Sequence, residues 1–520
     1  MPQNKNIAIL ASLGLTVGLT AGGLWLLQNT APDLLPNLLG QSADGPSGSK
    51  RGQGTFKILG DTFSGYSTFR SDGFKTALNE PGIGLEYADE FDQSQRAQAL
   101  SQGKADFIVT SLDQFLKQKP KGKIVGLIDR TVGADAVVLN TRQFPQLKSL
   151  LNLSQLVKQG KSKQYSLVYA GDTPSEYLAL VLDTKFEAFN LSDFRVIKVE
   201  DASQAWKLMQ DTKENVAIAV LWEPFVSQAR QQGHTVVLSS QDAPNTIVDV
   251  LVASDTVIQS QPEQISALLA TYYRRIESGI SNASQLQDQV AQDGDLSTTD
   301  ADTVLKGINF FTALEAQDWM QQETLNQRIT STAAVLVLSG NLSQVPEAPD
   351  QLYDAQFVTS AAENTKKLID IVRADNPELA QKLEGKAPTT TPTQPSTAEV
   401  KSAPSIGNLK VRGEVKFGVG AAALTQTGRQ TLAKLSKEIA EFNPDTVAIR
   451  VIGHTSKTGA ASVNQTLSQK RAQVVVEYLK QLGLKQTIQA EGKGFSTPLP
   501  GISPTDARNQ RTEIRLVRVS

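Results

Sequence analysis

Short, continuous apolar runs recur along the first half of the chain, at residues 56–59, 107–109, 124–128, 136–139, 166–169, 216–221, 235–238 and 247–252. A run without polar alternation suits a strand buried on both faces, as in a parallel sheet. Segments with helical spacing separate several of them, at 94–102, 174–182 and 202–210. Strand and helix in turn predict an α/β fold. Near the end the pattern changes. Val447, Ile449 and Val451 alternate as in a strand with one buried face, and Gly453 and Gly459 bracket a turn. At about 100° per residue, Leu467, Val474, Val475, Tyr478 and Leu482 then form one helical stripe. Asn464 and Arg471 fall inside that stripe. An arginine on a core-facing side must find acceptors, because an unpaired buried charge is costly. Arg471 therefore either ties local carbonyls together or points, with Asn464, into a pocket for an anionic group.

The same pattern divides the chain. Residues 7–27 are uncharged and mostly apolar, with Lys5 just before them. About 21 residues suffice to cross a bilayer and exceed the ~7–15 of a signal-peptide core. A retained signal anchor over residues 1–28 is expected, with cleavage near Ala21, Gly22 and Gly23 as the alternative. Residues 29–54 are rich in Pro, Gly, Ser and Asp and read as a flexible spacer. The α/β pattern and a polar helical stretch after it fill 55–383. A Pro/Thr-rich linker follows over 384–405, and a last domain over 406–520. At ~3.1 Å per residue the linker would hold the two domains tens of ångströms apart.

Composition narrows the chemistry. A chain of 520 residues is too long for one core. Its 51 basic and 53 acidic residues nearly balance, which removes the electrostatic case for nucleic acid. Cysteine is absent, so disulfides, thiol nucleophiles, thiolate metal sites and a lipoprotein anchor are excluded. The two histidines, His234 and His454, do not make a metal centre, and no cofactor is expected. There is no Walker loop, no dinucleotide fingerprint after a strand and no Gly-x-Ser-x-Gly elbow.

In α/β sheets, ligands meet the loops at the carboxyl ends of strands. Four such loops carry candidate residues: Ser64, Gly65 and Tyr66; Thr110 and Ser111; Thr173 and Ser175; Trp222 and Glu223. Thr173 has the position of an N-cap, Pro174 of a first helical residue, and Glu176 completes a capping box. Taken singly, each loop is a cap or a turn. Together, helix-terminal amides and hydroxyls would cradle a small anion, unless Glu176 already satisfies that terminus. Tyr66 and Trp222 would instead sandwich a flat or cationic ligand, or belong to core and rim.

Two resemblances give these residues a context. Gly453-His-Thr-x-x-x-Gly459, Asn464, Leu467-Ser-x-x-Arg471-Ala472, Tyr478-Leu479, Gly492-Lys-Gly494, Pro498 and Asn509-Gln-Arg511-Thr-Glu513 resemble the OmpA-like peptidoglycan-binding domain. That resemblance implies that Arg471 binds a diaminopimelate carboxylate, with Asn464, Ser456 and Arg511 around it. Ser456 stands where the family has the Asp that holds the ligand's ammonium. A serine accepts a hydrogen bond but lacks the charge that makes one strong. Earlier, Ala99-Leu-Ser-Gln-Gly103-Lys-Ala105-Asp106-Phe107, Asp129 through Gly133, Asp135-Ala136 and Leu221-Trp222-Glu223-Pro224 are similar to type 2 periplasmic solute-binding proteins. The closing segment, Gly307 through Phe311 to Gly340 and Pro346, also fits that family. The resemblance implies two α/β lobes with a solute between them, one formed by about 55–140 and 245–345. It also implies an anion, sulfonate or vitamin-precursor ligand and an ABC-type permease as partner. Asp129, Asp135 and Glu223 argue against a highly charged anion, unless Arg130 and other bases pair with them. Some relatives of this fold act on thiamine or its precursors; without a cysteine or another catalytic constellation, no enzymatic activity is expected here. The expectation is an inner-membrane protein with its bulk in the periplasm; a periplasmic or outer-membrane-associated form is the alternative. A membrane-to-wall tether without a solute is the competing role.

Overall fold

The computed structural model describes residues 54–161, 163–385, 395–413, 415, 417 and 421–519. The expected span at 7–27 and nearly all of the spacer lie outside these residues. Among the described residues no helix is long and apolar enough to cross a membrane.

The chain opens with β1 (Thr55–Gly60), β2 (Gly84–Asp89), β3 (Phe107–Ser111) and β4 (Gly122–Thr131). It then crosses to a second lobe for β5 (Asp135–Leu139), β6 (Ser166–Ala170), β7 (Arg195–Val199), β8 (Val216–Trp222) and β9 (Thr235–Ser239). It returns with β10 (Val248–Ser254) and β11 (Ile308–Phe310). The first sheet has the order β11-β4-β10-β3-β1-β2 and the second β7-β6-β8-β5-β9. All eight apolar runs are strands. The edge strands β2 and β7, half-exposed along their length, gave no apolar run to see.

The sheets are mixed rather than parallel. β1 runs parallel to β2 and β3, but β10 is antiparallel to both β3 and β4, and β5 to both β8 and β9. The reason is topological. Parallel neighbours in one sheet need a crossover that covers that sheet, whereas β5 and β10 each arrive directly from the other lobe. Two crossovers thus join the lobes, at residues 132–134 and 240–247. The first lobe ends at Thr131, so 135–140 belong to the second lobe, contrary to the expected boundary near 140.

The terminal module begins earlier than its pattern suggested. Helix Thr397–Ser402 lies inside the stretch read as linker, closed by a capping box of Ser396 and Glu399. Its Val400 is buried with Ala448, Val517 and Val519. β12 (Ser405–Asn408), β13 (Val447–Gly453), β14 (Ile488–Gly492) and β15 (Thr512–Arg518) form a sheet of order β12-β15-β13-β14. Helix Ala461–Gln481 covers it, with Ser468, Ala472, Val475 and Leu479 inward while Leu482 is 39% exposed. The buried face is rotated from the expected stripe because the helix sits against glycines. A Cβ on Gly453 would meet the Ser468 carbonyl oxygen at 2.3 Å, and one on Gly492 the Gln469 nitrogen at 2.5 Å. Small residues of the helix therefore face the sheet, and Arg471 and Asn464 are buried with them.

The two domains are not held apart. The second lobe and the terminal module share one apolar core, from Val137, Leu150 and Phe186 to Leu409, Leu435 and Phe442. Phe186 is fully buried, lies edge-on to Phe442 at 6.4 Å and bridges Leu409. Each such side chain contributes roughly 1.5–3 kcal/mol by leaving water. Polar contacts fix the register: the Lys410 amide donates to the Lys185 carbonyl at 2.8 Å and the Asn443 amide to the Asp242 carbonyl at 2.8 Å. Arg518 pairs with Asp242, and Lys185 with Glu441. Glu441 also reaches Arg328 of the first lobe at 3.3 Å. Although burial works the other way, Arg328 and Lys185 hold the Glu441 carboxyl down to about 2.

Candidate functional site

The seam between the lobes is lined from the first lobe by loops after β1 and β3 and by β4 and β10. Asp129 on β4 and Asp249 on β10 stand opposite each other in register, and Asp249 is also opposite Ser111. The Tyr66 hydroxyl donates to Asp249 Oδ1 at 2.9 Å. Asp129 is fully buried, accepts from no N–H or hydroxyl group, and has the Asp249 carboxyl as its hydrogen-bonding neighbour. Gly65 is required beside it, since a Cβ there would meet Asp129 Oδ2 at 2.3 Å. Burial, then the neighbouring Asp249 carboxyl, pushes Asp129 well above the carboxylate range. Burial raises Asp249 to about 7 against the pull of the Tyr66 hydroxyl. Burial, Asp249 and Glu223 raise Asp135 to about 8, and burial raises Asp113 to about 6. Of these, Asp129, Asp249 and Asp135 are the carboxyls shifted far enough to retain protons near neutral pH.

The expected pairing with Arg130 is not made. Arg130 turns to Glu315 at 2.6 Å and lies over the rings of Phe311 and Trp319. Arg96, fully buried, pairs with Asp61 at 2.9 Å and donates to the Val109 and Glu90 carbonyls. Thr110 donates to Gln93 Oε1 at 2.9 Å. Ser64 is half-buried at the start of a short turn, and Tyr66 is a core residue, edge-on to Phe63.

From the second lobe, Thr173 caps helix Pro174–Lys185, accepting from the Ser175 amide and donating to the Ala170 carbonyl. Glu176 Oε2 accepts from the Asp172 amide at 2.7 Å, so the helix terminus already holds a carboxylate of the chain itself. Ser175 Oγ is buried without a partner. Trp222, half-buried, pairs in register with Asp135, while Glu223 is engaged by Ser227 at 2.9 and 3.0 Å. Across the seam, Lys117 of the first lobe reaches Asp172 at 2.6 Å and Glu176 at 3.8 Å. Sequence reasoning missed Asp249, Asp113 and Lys117. Asp249 had a visible signal, a charge inside the apolar run 247–252.

A cavity of about 630 Å³ lies at the crossovers, lined by Arg130, Val132, Pro244, Asn245, Leu305 and Phe310 among others. Its arginine meets Glu315 through Nη2.

In the terminal module, Arg471 is buried with its Nε donating to the Ala421 carbonyl at 3.0 Å and its guanidinium over Phe417 at 5.1 Å. It has no carboxylate partner among the described residues, and burial lowers its pKa. Gln510 joins it to Ser456, accepting from Arg471 at 3.5 Å and donating to Ser456 Oγ at 3.2 Å. Asn464 ties the Thr458 and Ala460 carbonyls, shaping the rim. Arg511 is set apart, its guanidinium engaged by Glu513 and the Thr497 carbonyl. His454 lies between Thr497 at 2.9 Å and Glu513 at 3.2 Å. Although burial opposes it, His454 and Arg511 hold Glu513 down to about 2.

Two α/β lobes on paired crossovers, followed by a small α+β module whose Arg471 has no carboxylate partner among the described residues, define the class: a two-lobed fold joined to a second, smaller domain. Residues 78–283 match the NMT1/THI5 like family and residues 416–512 the OmpA family, so the chain carries an NMT1/THI5-like domain and an OmpA domain. Outer membrane protein A of Shimwellia blattae is 34% identical over 108 residues, 21% of this chain and 44% of that protein. The same protein of Atlantibacter hermannii is 32% identical over 119 residues, 23% and 47% of the two chains. The chain thus spans less than half the length of these relatives. Among solved structures, the periplasmic aliphatic sulphonate binding protein SsuA of Escherichia coli aligns at 15% identity and TM-score 0.45, over 58% of this chain and 92% of that one. The periplasmic nitrate-binding protein NrtA of Synechocystis PCC 6803 aligns at 12% identity and TM-score 0.42, over 61% and 90%.

Proposed function

We propose that this protein is a non-enzymatic component of a cell envelope that closes its two lobes on a small solute and grips peptidoglycan with its terminal module. The observation that supports the reading is the seam, where the first lobe buries the Asp129 and Asp249 carboxyls in register and the second lobe buries Ser175 Oγ without a partner. The crossovers at 132–134 and 240–247 supply the hinge for closure. An ABC-type permease is the partner such a domain serves. Residues 7–27 anchor the chain in the inner membrane and leave the rest in the periplasm; a reporter fused after Val519 that is active only in the cytosol would reverse this orientation.

Solute binding is tested by thermal shift of residues 54–520 against a library of anions, sulfonates, amines and vitamin precursors. One class should raise the unfolding midpoint, and silence throughout would remove solute capture. A membrane-to-wall tether without a solute is the second reading, favoured by Lys117, which already bridges the seam.

For the wall, Arg471→Ala should reduce retention on sedimented peptidoglycan about tenfold or more, since a hydrogen bond to a charged group contributes roughly 1.5–3 kcal/mol. Equal retention would take Arg471 out of the site. Ser456→Asp should strengthen retention by supplying the anion for the ligand's ammonium.

A further inference from the structure

The cavity at the crossovers lies on the other side of the first sheet from the seam acids. Asp129 and Arg130 are consecutive on β4, so their side chains leave the strand on opposite faces. Asp129 meets Asp249, whereas Arg130 meets Glu315, Phe311 and Trp319. The space beside Arg130, about 630 Å³, has the size of a pocket for a small organic molecule. Both crossovers line it, through Val132 and Pro244, so an occupant sits where the proposed hinge bends.

Most of the wall is apolar. Ile280, Leu286 and Leu305 fringe the first-lobe core, each half-buried, and line the same space as Val132, Pro244 and Phe310. Half-wet apolar side chains around a concavity gain when an apolar body covers them.

The polar end is built differently. The Arg130 guanidinium lies over Phe311 at 4.7 Å and Trp319 at 5.2 Å, and Glu315 meets one of its nitrogens, Nη2, at 2.6 Å. Glu315 is held in place in turn: a Cβ on Gly385 would meet its Cδ at 2.6 Å, so the chain passes directly over it. Rings and carboxylate thus fix the guanidinium without using all of its N–H groups. Nε is buried with no acceptor, and the 12% of the side chain that stays accessible opens on the cavity. A guanidinium short of acceptors favours an occupant that brings one. Charge agrees. Three of the five charged side chains in the wall are cations, Arg130, Lys306 and Lys382, against Asp302 and Glu315. The lysines pair at the rim, with Asp302 and with Glu378, where solvent screens them. Arg130 is the cation left inside.

We propose that this cavity is a second binding site, distinct from the seam, for an amphiphilic monoanion. Its apolar body packs on Ile280, Leu286 and Leu305, and its carboxylate meets Arg130. The site needs no solute in the seam and stands or falls without one.

The test is calorimetric titration of the full-length protein with octanoate and naphthoate, with octanol and octylammonium as neutral and cationic counterparts. Both carboxylates should bind, octanoate roughly tenfold tighter than octanol, the weight of a hydrogen bond to a charged group. Arg130→Gln should lower octanoate affinity about tenfold and leave octanol unchanged. Because that variant leaves Glu315 without its partner, a second one is needed. Ala283→Trp, at an exposed position on the cavity rim, should block both carboxylates. Variants prepared in the same detergent cancel uptake of the probes by micelles. Octanoate binding that is unchanged in either folded variant lies elsewhere and overturns the proposal. Octanol or octylammonium binding as tightly as octanoate removes the anionic class, and silence of both carboxylates on folded protein removes the site. Either result overturns the proposal and leaves the reading of the seam untouched.

Discussion

Asp129→Asn should raise the unfolding midpoint at pH 8 and flatten its dependence on pH. The native pKa values of Asp129, Asp249 and Asp135 are raised, the latter two to about 7 and about 8, whereas an unfolded aspartate titrates near 3.9. From about pH 4 to pH 8 the folded chain therefore binds more protons than the unfolded one. Their contribution to stability is full below about pH 4 and is lost as pH rises through the folded values. Each proton so held costs about 1.4 kcal/mol per pH unit. Asparagine at 129 has the shape of the protonated acid and donates to Asp249 without that cost. A gain on the order of 3 kcal/mol at pH 8, or roughly 5–10 °C, is expected. Differential scanning calorimetry at pH 5 and pH 8 measures it. Wild-type protein that grows more stable between those two values would contradict the buried acid pair.

The second large effect belongs to the interface between the domains. Phe186→Ala removes a fully buried ring shared by the second lobe and the terminal module, and should cost about 3–5 kcal/mol. Small-angle scattering should show a longer particle, and calorimetry two transitions where the wild type has one. Acid should do the same by another route. Because Glu441 is held down to about 2, below the ~4.3 of an unfolded glutamate, its contribution is full above about pH 4.5 and lost as pH falls toward 2. Glu441→Gln should remove that acid sensitivity. A wild-type particle with the dimensions of two separated bodies at neutral pH would refute the docking.

Much of the architecture was legible because burial on both faces leaves an unmistakable mark. Every strand at the centre of the two lobe sheets was a run of apolar residues, and Thr173-Pro174 announced a helix that begins there. Strand direction was not legible, because an apolar run reads the same for β5 and β10 whichever way their neighbours run. The site was legible as loops but not as chemistry. The hydroxyls at Thr110 and Thr173 look alike in sequence with Ser175, yet two are satisfied locally and one is not. What separates them is packing across the seam, made by residues distant in sequence. Docking was hidden for a related reason. Phe186 and Leu409 are ordinary core residues of their own domains until the two surfaces are set together.

The shared core has a mechanical consequence. With β12 laid against helix Leu150–Gln159, and Arg518 reaching back to Asp242, the second lobe and the terminal module share one continuous packed interface. The hinge motion proposed above would then be carried by the first lobe, on the two short crossovers. In the proposed closure its sole ion pair with the far module among the described residues, Arg328 to Glu441, would have to break and re-form. Were the terminal module to hold peptidoglycan as proposed, a pull there would pass straight into the second lobe through the shared core.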